Sequence, residues 1–342
     1  MKLSDFDYNL PPELIAQKPF SPRDHSRLMV LDKKKKSISH RHFFDLPDYL
    51  QKGDVLVLNN TKVFPARLIG NRKDTGGKVE IFLLREVKKG EWEVLVGNLK
   101  NKLNQIIVFG KNLEGKIVKQ IDESVWQVKF NKSGISFDKI INNLGQVPLP
   151  PYIKNNQAKS VLQKEYQTVF AKEKGSVAAP TAGFHFTKQL LSKLKKKGVQ
   201  IEYVTLHVGL GTFQAVKENN VLKHKMHSEW ASINASTAKR LNQAKKLGKR
   251  IIAVGTTSSR TLESFAKNQQ IKSGHKWTNI FIYPSYKFQF VDALITNFHL
   301  PKSTLIMLIS ALAGRSFILK AYQEAINQQY RFYSFGDAML IV

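Results

Sequence analysis

The sequence predicts an α/β protein: a three-layer α/β domain with a mainly parallel sheet, interrupted by an inserted small antiparallel β-barrel. Three observations predict it. DVLVLNNT (54–61) is a nearly continuous apolar strand, and in the second half of the chain apolar strands such as RIIAVG (250–255) alternate with amphipathic helices. Between residues 66 and 130 come six short strand-like runs with turn residues at even spacing and no helix among them. The stretch LGQVPLPPYI (144–153) then places three prolines within four positions, which holds the chain extended and marks the return to the first domain. The expected division is residues 1–64 and 149–342 for a discontinuous α/β catalytic domain and 65–148 for the barrel.

Taken in order, SRLMVLD and DVLVLNNT read as strands, the second apolar enough to be covered on both faces. ARLIGNR, KVEIFLLREV, EWEVLVG, QIIVFG, GKIVKQ and VWQVKF form the barrel, punctuated by DTGGK, KKGE, GKNLEGK and DES. Thr187 caps a lysine-rich helix that ends at Gly198, VQIEYVTLHV is a strand, and STAKRLNQAKKLG is a helix. The strand RIIAVG follows, then the helix SRTLESFAKNQQ, the strands NIFIYP and DALITNF, and the helix STLIMLISALAG.

Composition narrows the function. With 42% hydrophobic and 23% charged residues, 342 residues suffice for a sizeable core. There is no cysteine, so a metal would need His and carboxylate ligands. MKLSDFDYNLPPEL lacks an apolar signal core, and TLIMLISALAG falls short of the ~18 apolar residues of a membrane span. A soluble, cytoplasmic, monomeric protein that avoids membranes is therefore expected. The net charge is +28, from 54 Lys and Arg against 26 Asp and Glu. Such a field suits a polyanion, with nucleic acid as the evident partner. Single runs such as DKKKKS read equally well as solvated turns.

Four segments occupy the positions where α/β folds place ligands, after the carboxyl ends of strands. IIAVGTTSSRTLES follows a strand with Gly255, the hydroxyls of Thr256, Thr257, Ser258 and Ser259, and Arg260 at a helix start. Together these suit a carboxylate or phosphate, though helix capping by Ser258 or Ser259 is the alternative. The spacing is not that of a nucleotide-triphosphate loop. TLHVGLGTF offers Gly209 and Gly211 for close approach of backbone to a flat ligand or for a tight turn, with His207 at the strand end. HKMHSEW presents His224, His227 and Glu229, as a metal set if helical or otherwise as general acid and base. LITNFHLPKSTL carries Asn297 and His299, in a ligand loop or a local turn.

RDHSRLMVLD, GDVLVLNNTKVFPARL, LPPYI, YQTVFAKEKGSVAAPTAGFHFT, VTLHVGLGTF, MHSEW, IIAVGTTSSRTLES, DALITNFHLPKSTLIMLISALAG and YRFYSFGDAML recur in one order from end to end. Together they closely resemble the S-adenosylmethionine:tRNA ribosyltransferase-isomerase family of queuosine biosynthesis. The resemblance implies transfer and isomerisation of the ribosyl part of S-adenosylmethionine onto 7-aminomethyl-7-deazaguanine at the tRNA wobble position. Epoxyqueuosine would form, and adenine and methionine would leave. The sulfonium compound is then a consumed substrate, and neither cofactor nor metal is expected. The resemblance marks these segments, not the jobs within them; His185, His207, His227, Glu229 and His299 are expected to be catalytic. Arg23, Asp24, Asn59, Asn60, Arg67, Phe184, Phe186, Gly209, Gly211, Thr212, Thr256, Thr257, Ser258, Arg260 and Asn297 are expected to bind substrate.

Within that set, TTSSR is expected to take the methionine carboxylate, and Asn59, Asn60 and Arg67 to read the RNA base edge or phosphate. Phe184 and Phe186 flank His185, and one of the two is expected to be buried while the other stays available for a base. Two rival readings remain. An RNA methyltransferase would use the same sulfonium compound but lacks a complete glycine loop here. A non-catalytic RNA-binding factor would explain the charge but not the histidines at strand ends.

Overall fold

The computed structural model describes residues 1–342 except 98–102, 111, 122–124, 149–151, 154–164, 210–215 and 217. β1 (Arg27–Asp32) turns back through the lysine-rich tip into β2 (Ser37–His42). β3 (Val55–Asn59) is buried at every position, as a central strand covered on both faces must be. β4 (Thr61–Val63) then leads out of the sheet.

The barrel follows directly. β5 (Arg67–Arg72), β6 (Lys78–Lys88), β7 (Glu91–Gly97), β8 (Ile106–Phe109), β9 (Leu113–Gln120) and β10 (Val125–Phe130) close in the order β10-β7-β6-β5-β8-β9. Inward residues alternate with outward ones, and α1 (Gly134–Leu144) adds Phe137 and Ile141 to the barrel core. β11 (Glu173–Ser176) returns parallel to β4, so the chain leaves and re-enters the α/β part side by side.

Beyond it, a 3-10 turn (Thr181–His185) precedes α2 (Lys188–Lys196), whose cap Thr187 accepts a hydrogen bond from the Leu190 N–H. β12 (Gln200–Leu206), β13 (Glu229–Ile233), α3 (Ala235–Lys246), β14 (Ile251–Val254) and α4 (Gly255–Phe265) come next. A small hairpin of β15 (Ala266–Lys267) and β16 (Gln270–Ile271) leads to β17 (Gly274–Thr278). β18 (Ala293–Asn297), α5 (Thr304–Ala313), α6 (Arg315–Asn327) and β19 (Ala338–Ile341) complete the fold.

Nine strands form one mixed sheet in the order β17-β13-β12-β3-β14-β18-β19-β1-β2. β12, β3, β14 and β18 pair in parallel at its centre, as do β19 and β1, while the other ladders are antiparallel. One face packs under α3, α4, α5 and α6, and the other under α2 and the segment Phe43–Tyr49, giving three layers. Among the described residues no single helix is long and apolar enough to cross a membrane. α5 and α6 pass that test only as a pair bent by 115°, and both have apolar residues in the core.

Two local expectations are corrected. NIFIYP is not a strand: the sheet edge is taken by β17 just before it, and Ile280, Ile282 and Tyr283 pack individually onto the core. The helix expected to open near Arg260 begins at Gly255, where a φ of 85° lets the chain turn directly out of β14. The hydroxyls of Thr256 to Ser259 therefore lie in the first turns of a helix and not in a loop.

Candidate active site

Two recesses adjoin at Val208. The first is a cavity of about 170 Å³ at the carboxyl ends of β14 and β18, walled by Thr256, Thr257, Asn297, His299, Tyr166 and Tyr333 among others. Its chemistry is unfinished. Among the described residues the hydroxyls of Thr257 and Tyr333 are buried without a hydrogen-bond partner, a state that costs ~1–3 kcal/mol each unless a ligand completes it. The first N–H groups of α4 also lack intrahelical acceptors, as at every helix start. A small polar molecule with an anionic end meets both needs.

The second recess is a groove of about 650 Å³ between the barrel and the sheet edge. Its floor is set by strand register. His207, one residue beyond β12, donates its N–H to the Trp230 carbonyl at 2.9 Å, and Trp230 stands opposite Trp277 in the β13–β17 ladder. Side chains directly opposite each other share a face, so His207, Trp230 and Trp277 form a row across the sheet. The His207 ring stacks on Trp230 at 4.9 Å with planes 15° apart, and its Nδ1 is 2.8 Å from the Thr61 hydroxyl. Burial pushes this imidazole down to about 4, so it is neutral at neutral pH.

Glu229 sits buried at the inner wall of the groove. It forms an ion pair with the Arg260 guanidinium from α4 and accepts the Gly209 N–H at 3.1 Å. His227 is exposed at the mouth of the same groove. His224 and His227 lie after a 3-10 turn and not on one helix face, and no group of His, Asp and Glu suited to a metal occurs among the described residues. The helical arrangement on which the metal alternative for HKMHSEW depended is not formed.

The structure separates the residues marked from sequence into two kinds. Thr256, Thr257, Asn297 and His299 reach the cavity, and His207, Gly209, His227 and Glu229 reach the groove. Among the described residues a Cβ added at Gly209 meets nothing within 4 Å. Gly211 and Thr212 lie outside the described residues.

The remainder hold the scaffold together. Asn59 is buried, donating to the Leu206 carbonyl and accepting from the N–H groups of Thr61 and Leu206, so it ties β3 to β12 and cannot read a base. Asn60 accepts from the Thr205 hydroxyl at 2.7 Å. Arg67 forks onto Glu80 at 2.7 and 3.1 Å on the barrel surface, away from both recesses. Arg23 donates to the carbonyls of Glu165 and Gln167 and lies over the Phe184 ring, while Asp24 accepts from the α2 cap Thr187.

Arg260 turns to Glu229 and to the Ile280 carbonyl instead of meeting an anion at its helix start. Ser258 is fully buried inside α4. Both Phe184 and Phe186 are buried, against the expectation that one stays free. TAGFH folds as a 3-10 turn that sends Phe184 onto Tyr166 and Phe335, and Phe186 onto Phe43 and Phe170. His185 is equally committed: its Nδ1 meets Ser26 at 2.7 Å and its Nε2 the Asn297 amide at 3.0 Å, and burial pushes it down to about 3. Asn297 in turn accepts from the Thr181 hydroxyl at 3.0 Å, so this neutral histidine fixes two cavity residues and has no nitrogen left for chemistry.

Sequence reasoning missed Trp92, Trp230 and Trp277 in the groove, and Tyr166 and Tyr333 in the cavity. One signal was available: the chain has only four tryptophans, and three of them line one groove.

Known proteins now place the chain. The model of a family described as queuosine biosynthesis protein matches residues 3–341. The chain belongs to this family. It is 54% identical over 346 residues to the S-adenosylmethionine:tRNA ribosyltransferase-isomerase of Desulfitobacterium hafniense, with full coverage of both chains. With the protein of the same name from Symbiobacterium thermophilum the identity is 52% over 345 residues, again with full coverage. The crystal structure of S-adenosylmethionine tRNA ribosyltransferase from Thermotoga maritima shares 38% identity, covers 99% of this chain and 100% of its own, and superposes with a TM-score of 0.57. The family thus shares the sheet-plus-barrel architecture that frames both recesses.

Proposed function

We propose that this chain transfers the ribosyl unit of S-adenosylmethionine to 7-aminomethyl-7-deazaguanine at the tRNA wobble position and isomerises it, giving epoxyqueuosine and releasing adenine and methionine. The observation that carries this reading is the adjacency of the two recesses at Val208. A small cavity in which the Thr257 and Tyr333 hydroxyls lack a partner among the described residues suits a small donor, and the larger aromatic groove beside it suits a base flipped out of RNA. Holding donor and acceptor together in this way supplies about 7–11 kcal/mol through orientation alone.

Within the cavity, the first turn of α4 and the Thr257 hydroxyl receive the methionine carboxylate, and Asn297, oriented by His185 and Thr181, faces the donor. The sulfonium and ribose then reach past Val208 into the groove. His207 is the proton acceptor there. It is neutral, anchored through Nδ1 by Thr61, and stacked so that its ring cannot turn. Removing a proton next to the sulfonium requires such a group, and returning one to the departing adenine requires its conjugate acid. Each transfer is worth ~10²- to 10⁴-fold. His227 serves at the mouth of the groove, while Glu229 keeps Gly209 and Arg260 in place instead of exchanging protons. S-adenosylmethionine is consumed, so the reaction needs no cofactor.

Product analysis tests the proposal directly. With tRNA bearing the deazaguanine precursor, adenine and methionine are expected in equal amounts and a methyl label is expected to stay with methionine. Formation of S-adenosylhomocysteine and methylated RNA would establish a methyltransferase instead.

A further inference from the structure

Trp277 lies beyond the chemistry just described, on the outer side of the groove. It sits on β17, the edge strand of the nine-stranded sheet, and is 46% exposed. A large apolar ring on an exposed strand edge invites aggregation, so its retention there calls for a partner. The Arg85 guanidinium reaches across from β6 of the barrel, 4.3 Å from the ring centroid, while forking onto Glu93 at 2.5 and 2.6 Å. The exposed His275 stands on the same face two residues away, tilted 22° from the Trp230 ring.

Strand register places Trp277 directly outside Trp230, which itself lies outside His207. The row therefore runs from the proposed reacting centre to solvent in steps of one strand, roughly 5 Å each. Aromatic rings in file beside cationic side chains are the arrangement that binds successive bases of single-stranded nucleic acid. The net charge of +28 supplies the long-range attraction such a strand would feel.

We propose that Trp277 is a stacking platform for the nucleotide adjoining the base being modified. The inner end of the row then holds the reacting base, and the outer end grips its neighbour and contributes affinity. This rests on the tRNA reading above.

The test is a binding cycle with an anticodon-loop hairpin RNA carrying the deazaguanine precursor. Trp277→Ala is expected to weaken hairpin binding by about 5- to 150-fold, the range for stacking one base on an aromatic side chain. Trp277→Phe should keep most of the affinity, and S-adenosylmethionine binding should not follow the loss. The decisive arm removes the base from the nucleotide on either side of the target in turn. One of these abasic hairpins should bind the wild-type protein more weakly by a similar factor, yet bind Trp277→Ala no worse than the intact hairpin does. Equal losses in both proteins, or no loss in either, would overturn the platform. Adenine release by the wild-type protein is scored separately, so failure of the ribosyl-transfer reading is not mistaken for failure of the platform.

Discussion

Glu229→Gln is the most informative single substitution, because the structure assigns Glu229 a different task from the one its motif suggested. Its carboxylate is 5% exposed and meets an Arg260 guanidinium that is 8% exposed, and one guanidinium nitrogen of Arg260 already lacks a partner. Removing the negative charge leaves a buried cation uncompensated, a loss of about 3–5 kcal/mol. At ~2.1 cal/mol/K per residue, 342 residues give an unfolding entropy of about 0.7 kcal/mol/K, so Tm should fall by about 4–7 °C. Differential scanning calorimetry reads this directly. The double variant Glu229→Gln/Arg260→Met should recover much of the loss, since removing both charges leaves nothing unpaired. A single variant as stable as the wild type, yet slowed ~10²-fold or more in the chemical step, would refute this reasoning. It would restore Glu229 as a proton-transfer group.

Acidification should weaken the fold early. Burial holds His185 and His299 near 3 and His207 near 4, against an ordinary value of 6.5, so between those limits the unfolded chain binds more protons than the folded one. Stability should therefore drop as pH falls below about 6.5, each group adding a slope of up to ~1.4 kcal/mol per pH unit. Thermal melts at pH 7.5 and pH 5 check it, and identical curves would mean these imidazoles are not buried in neutral form. tRNA affinity should fall steeply with salt, each neutralised phosphate contributing about 0.7 to 0.9 to the log–log slope. A flat response in a filter-binding titration would make the lysine excess a matter of composition alone.

The barrel was legible because its turns are spelled out in glycine and charged residues, and backbone turn chemistry is a local property. The central strands were legible for a similar reason: a strand covered on both faces, such as VLVLN at β3, has no polar alternation to disguise it. Reading failed where tertiary context overrides a local pattern. NIFIYP has strand composition, yet β17 just before it takes the place beside β13, and Ile280, Ile282 and Tyr283 pack singly onto the core. In TAGFHF one aromatic was expected to stay free, whereas the 3-10 turn delivers the two to different neighbours, and both are buried.

The groove was the least legible part because it is a product of register. Nothing local in VTLHV, SEW or GHKWT announces that His207, Trp230 and Trp277 stand in one row; only the pairing of three strands distant in sequence does so.

The three buried histidines differ in what their partners leave free. His185, His299 and His207 are all pushed well below the ordinary value by burial, so depressed basicity alone does not distinguish them. Their partners do. His185 spends both ring nitrogens on Ser26 and Asn297, and His299 bonds Thr296 at 2.8 Å beneath a backbone pinned by Tyr322 at 2.8 Å. Each orders a cavity wall, and each would lose that order on protonation. His207 is held on one nitrogen and one ring face, and Gly175 comes so close to its Nε2 that a Cβ there would lie 2.6 Å away. A glycine at that position lets the imidazole sit fixed against the groove wall without burying it as deeply as the other two. Fixed geometry beside an open recess is what a proton-transfer group requires, and of the three only His207 lines the groove.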